Sequence, residues 1–206
     1  MITLSFLKNT TLKQFLTEGE RFVMTFFSVI TFAEQGVYDV INNIGSLPAR
    51  LVFQQIEESG YLLFTQKIDR QKPSSDQIPS DLRDSSLYLK NFIKIMALLG
   101  LILFIFGYNY SELALLIYGG HKLSENLGTV LLQWHCFYIL FIAINGITEC
   151  FTFAAMSSQQ IDAFNRKMVN ISVIFLLSSF GLTKWFGCQG FIMANCLNMG
   201  SRILIR

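Results

Sequence analysis

Leu87–Gly107 reads LYLKNFIKIMALLGLILFIFG, a run of 21 residues whose two lysines, Lys90 and Lys94, sit near one end. A helix needs about 20 mainly apolar residues to cross the roughly 30 Å of hydrocarbon in a bilayer. This run meets that requirement, and lysines near its end can snorkel to the interface. Working outward, similar helices are expected at about 128–152, 162–185 and 187–205. The last is weaker, because Asn195, Asn198 and Arg202 interrupt it. Two more polar helices precede the run, at about 4–27 and 36–66. Residues 67–86, KIDRQKPSSDQIPSDLRDSS, carry charge, serine and two of the three prolines, and read as a solvated loop. The whole is an all-α membrane protein, a single transmembrane domain over 1–206 with six crossings.

Composition agrees. Just over half the residues are apolar and 15% are charged, where a soluble domain carries about 25%. If all six helices cross, Lys8, Lys67, Arg70, Lys72, Arg83, Arg166, Lys167 and Arg206 fall on one side, and Lys122 and Lys184 on the other. The positive-inside rule makes the first side cytosolic, with both ends of the chain facing it.

Polar residues inside the helices carry the functional signal. At about 100° per residue, Asp39, Asn43, Ser46, Arg50, Gln54 and Glu57 fall within roughly 80° of arc on the second helix. Thr11, Gln14, Glu18, Arg21 and Thr25 make a stripe on the first. Weaker stripes are Trp134, Tyr138, Asn145, Glu149 and Thr152, and Asn195, Asn198 and Arg202. A charge at mid-bilayer costs about 2.5–3.5 kcal/mol on insertion scales, so these faces meet protein or water. One reading is structural, with polar groups binding helices together. The other is a hydrated cavity, in which arginine suits bidentate contact with phosphate.

No phosphate-binding glycine loop or zinc-protease motif is present. His121 is expected in a loop and His135 at the interface. Cys136, Cys150, Cys188 and Cys196 lack metal-ligand spacing and read as packing residues. Neither an enzyme, a metal site, a cofactor nor nucleic-acid binding is expected.

Four segments carry a family resemblance: TEGERFVMTF (17–26), GVYDVINNIGSLPARLVFQQIEES (36–59), NGITECFTFAAMS (145–157) and GFIMANCLNMGSR (190–202). They resemble the Rft family of endoplasmic-reticulum proteins, tied to translocating the lipid-linked oligosaccharide of N-glycosylation. More weakly, they are similar to the wider superfamily of multidrug and oligosaccharidyl-lipid flippases. The resemblance implies half of a two-bundle flippase-like fold, matching the start of the second bundle, without the N-terminal bundle and the last helices. It also implies alternating access and a dolichol-diphosphate oligosaccharide as substrate. Glu18, Arg21, Asp39, Asn43, Arg50, Gln54, Glu57, Asn145, Glu149, Asn195, Asn198 and Arg202 become candidate cavity residues by position. The alternative is a non-transporting scaffold or accessory factor of the glycosylation pathway.

Overall fold

The computed structural model describes Leu7, residues 31–70 and residues 77–206, apart from the side chains of Asn126 and Ser158. The expected first helix, with its candidates Glu18 and Arg21, lies outside the described residues. Every regular element among the described residues is helical. They are α1 (Phe32–Gly45), a π-helical turn (Ala49–Phe53), α2 (Gln54–Lys67), α3 (Pro79–Asn109), α4 (Ser111–Gly119), α5 (His121–Ser124), α6 (Asn126–Ala155), α7 (Ser158–Phe186) and α8 (Gln189–Ile205).

Three of these helices are long and apolar enough to cross a membrane: Pro79–Asn109, Leu127–Ala155 and Gln159–Phe186. Their outward faces are apolar. On α3, Leu98, Ile102, Ile105 and Phe106 are exposed, and on α7 so are Val173, Ile174 and Leu177. Burying those side chains in lipid recovers the transfer free energy that water would withhold, about 25 cal/mol per Å². The inward face of α7 holds Ile161, Phe164, Met168, Ile171, Phe175, Ser179 and Thr183 at three- and four-residue spacing.

α6 lies at the centre, packed against α1, α2, α3 and α8. Phe53, Phe64, Met96, Ile139, Ala143 and Ile147 join it to α2 and α3, and Tyr38, Ile41, Leu131 and Phe191 to α1 and α8. His135 is 2% exposed. Its ring lies directly against the backbone of Gly45, where any Cβ would collide with it. A glycine on the facing helix makes the room that puts this imidazole inside.

The helix start at α1 is a capping box. The Thr31 hydroxyl accepts from Glu34 N at 3.3 Å, and the Glu34 carboxylate accepts from Thr31 N at 2.8 Å. The stretch 67–86, read as loop, is helical from Pro79 onward. Proline lacks only a donor that the first turn would leave unpaired, so at this position it starts a helix rather than breaking one. Lys67 bonds Asp81 at 3.0 Å and lies 3.5 Å from Asp84, closing this end of α2 onto α3. The hydrogen bond and charge of Asp81 push the Lys67 ammonium above its ordinary value.

Candidate functional site: an outward polar face and an inward arginine cluster

The helix from 32 to 67 is broken where the sequence dictates. Pro48 has no N–H to donate to the preceding turn, and the π turn follows it directly. In that turn Gln54 N donates to Ala49 O, five residues back. The carbonyl of Asn43 is met by side chains: Ser46 Oγ donates to it at 3.0 Å and Arg50 Nη2 at 3.0 Å.

A π turn adds one residue to the turn, so every face beyond it is rotated. The predicted stripe therefore divides. Asn43, Arg50 and Gln54 are exposed, and Asp39 and Ser46 half-buried. Gln54 Nε2 bonds Glu58 Oε1 at 2.9 Å, so Glu58 continues the outward face where regular periodicity places Glu57. Glu57 turns inward, and its carboxylate lies where a Cβ on Gly146 of α6 would be.

The second group faces inward, among α6, α7 and α8. Arg206 Nη1 donates to the Asn145 carbonyl at 3.0 Å and to Asn145 Oδ1 at 2.9 Å, and Nη2 to Glu149. The Arg206 side chain is 3% exposed and that of Glu149 15%. The guanidinium also stands 5.6 Å from the centre of the Phe164 ring on α7. One turn back on α8, Arg202 is buried and its Nε has no hydrogen-bond partner. The same is true of Asn198 Oδ1 and of both amide atoms of Asn165. Each such group left unpaired costs about 1–3 kcal/mol. The charged neighbours of Arg202 are Glu149 and Arg206, and Glu149 is already engaged by Arg206. The result is an inward cluster with hydrogen-bonding capacity to spare.

Of the sequence candidates, Asn145, Glu149, Asn198 and Arg202 thus share one region, and Glu57 lies on its α2 flank. Asn195 is half-buried on α8. Asn165 and Arg206 escaped the periodicity reading. Asn165 lies outside the polar stripes, with Asp162 one turn before it and Met168 and Val169 one turn after, and Arg206 enters the sequence argument only as a basic marker of orientation. Arg70 also has a role that sequence did not show. Its Nε donates to Ala154 O at 3.0 Å and its Nη2 to the Tyr61 hydroxyl at 2.6 Å, pinning the end of α2 to the carbonyl end of α6.

A profile of the Rft protein family matches residues 1–205. The chain belongs to the Rft family. It is 52% identical over 199 residues to the Man(5)GlcNAc(2)-PP-dolichol translocation protein RFT1 of Mus musculus, covering 97% of this chain and 37% of that protein. The Drosophila melanogaster protein of the same name is 47% identical, with 98% and 37% covered. That of Saccharomyces cerevisiae is 34% identical, with 93% and 32% covered. This Rft chain therefore spans about a third of the length of these relatives. No solved structure matches it.

Proposed function

We propose that this chain forms one wall of a polar path by which dolichol-diphosphate-linked oligosaccharide crosses the endoplasmic-reticulum membrane for N-glycosylation. The carrying observation is the exposed row Asn43, Arg50 and Gln54 on a helix held by its opposite face against a membrane-type bundle. Such a row is costly against lipid and favourable against water or a polar headgroup. The names of the relatives supply the substrate class.

In this reading six crossings make half of a two-bundle protein, with the N-terminal bundle opposite and the last helices still to follow. The lipid tail stays in the bilayer while the headgroup passes along the polar face. Arg50 and Arg21 meet the diphosphate, and asparagine and glutamine side chains meet sugar hydroxyls. Both ends of the chain face the cytosol. A cysteine at Asp76 should then react with an impermeant reagent from the cytosolic side, and one at His121 only after the lumen is opened. The reverse pattern overturns the orientation.

The deciding experiment reconstitutes the longer protein, containing this region, with labelled dolichol-diphosphate oligosaccharide in vesicles. Transport that falls on Arg50→Gln while the protein remains folded supports the path. No transport by the wild-type protein leaves the scaffold reading.

A further inference from the structure

The short helix α4, Ser111–Gly119, is joined to α3 through Tyr110 alone. At about 1.5 Å per residue its nine residues span about 13 Å, too short to cross about 30 Å of hydrocarbon. One stripe of it is held by the bundle. Ser111 and Leu115 are buried, and Leu115 shares a core cluster with Leu131 and Cys136 of α6. A helix lying on a protein in water is polar on its far side. The far side of α4 is instead Leu113, Leu116 and Ile117, all exposed, Ile117 to 79%. At about 100° per residue these three fall within roughly 100° of arc, centred opposite the buried stripe.

The surroundings of this face fit the boundary of a bilayer. Chain connection sets the depth. α3 is long and apolar enough to cross a membrane and ends at Asn109, so α4 begins where a crossing ends. Ile105 and Phe106 are exposed near that end of α3, and the Phe106 ring stacks on Tyr110 with centroids 6.4 Å apart. Exposed aromatic residues gather at the same level: Tyr108, Tyr110 and Tyr118 around α4, and Trp185 and Phe186 at the end of α7. Cys188, two residues past Phe186, belongs to the core cluster of Leu115, which puts both groups at one end of the bundle. Tyrosine and tryptophan concentrate at the headgroup level of membrane proteins. Polar residues come next. Gly120, with a φ of 69° that suits glycine, turns the chain, and His121 and Lys122 follow exposed.

We propose that α4 lies in the membrane interface at this end of the bundle, with Leu113, Leu116 and Ile117 among the first carbons of the acyl chains. Lipid supplies both halves of what the face requires. Hydrocarbon meets the three aliphatic side chains, and hydrated headgroups meet the hydroxyls of Tyr108, Tyr110 and Tyr118. Leu115 on the opposite side transmits the hold to α6, so α4 fixes the depth of the α3 and α6 ends together. This anchor does not depend on glycolipid transport; it requires only that α3 cross the bilayer.

The test places single nitroxide labels at Leu113, Leu116, Ile117 and Lys122 in a cysteine-free form of the longer Rft protein, in phosphatidylcholine vesicles. Power saturation with oxygen and with a water-soluble nickel chelate reads the depth of each label. The first three should lie about 5–10 Å below the phosphates, as the apolar face of an interfacial helix does, and the label at Lys122 should lie in water. Water exposure at Ile117 equal to that at Lys122 overturns the proposal. A second measurement keeps the native cysteines, and decides alone if the cysteine-free protein fails to fold. With p-benzoylphenylalanine in place of Ile117, illumination in native membranes should give lipid adducts. A crosslink to another protein, or to another part of the same protein, as the main product overturns the proposal.

Discussion

The helix from 32 to 67 and the α6–α8 seam are both polar where a membrane protein is expected to be apolar, but they place that polarity differently. The first turns Asn43, Arg50 and Gln54 outward and buries Tyr38, Ile41, Phe53 and Phe64. The second turns Asn145, Glu149, Arg202 and Arg206 toward neighbouring helices. The outward row contributes little to packing, since its side chains bond within their own helix. The inward cluster is part of the packing, since its bonds cross from α8 to α6. A polar stripe in a sequence thus does not say which of these it is, and the two respond differently to mutation.

The largest effect should come from the inward cluster. Glu149→Ala removes the carboxylate that Arg206 bonds across the α6–α8 seam. Breaking a buried pair from one side costs about 3–5 kcal/mol. Thermal unfolding followed by size-exclusion chromatography should show a large loss of folded protein. Glu149→Arg combined with Arg206→Glu should restore much of it. Wild-type stability in Glu149→Ala would mean the cluster holds nothing together.

A smaller loss is expected where α1 meets α6. Gly45→Ala drives a methyl into the His135 ring, and overpacking of this kind costs about 1–3 kcal/mol. Gly45→Ala with His135→Ala should recover part of that loss, because the ring that collides is gone. Absence of recovery in the double variant would place the cause in the backbone instead.

Smaller again is the helix start. Thr31→Ala removes a cap worth about 1 kcal/mol. The Thr31 backbone and hydroxyl hold the Glu34 carboxyl below its usual value near 4.5. A lowered carboxyl stabilises the fold above its unfolded value and loses that contribution as pH falls through the folded one. The deficit of Glu34→Gln relative to wild type should therefore be present at neutral pH and shrink below about pH 4. Amide hydrogen exchange over residues 34–38 reads it; a deficit constant with pH would count against the capping bond.

The contrast between the two regions was only half visible in the sequence. Long apolar runs marked α3, α6 and α7, because length and hydropathy are local properties. Residues 79–86 were misplaced because Pro79 looks like a loop residue until its position at the first helical turn is known. A constant angle per residue puts Glu57 in the outward stripe of the second helix. Pro48 and the π turn change that angle, sending Glu57 inward and Glu58 outward. Periodicity within one helix does not report Arg206, whose partners lie on α6, or Asn165, whose buried amide atoms have none.

Arg50→Gln should have the smallest effect on folding and sharpens the comparison most. Arg50 is exposed, and its one hydrogen bond goes to Asn43 O, which Ser46 Oγ also meets. Losing it leaves no buried group unpaired. The expected stability change is within about 0.5 kcal/mol, as for surface substitutions away from special features. Glutamine keeps much of the length and polarity but not the charge or the planar fork that suits a phosphate. In the longer protein, folded yield should then match wild type while glycolipid transport falls. Arg50→Lys should recover part of the transport, since charge returns without the fork. If Arg50→Gln instead unfolds the protein as Glu149→Ala is expected to, the outward row is a packing surface and the division between the two regions fails.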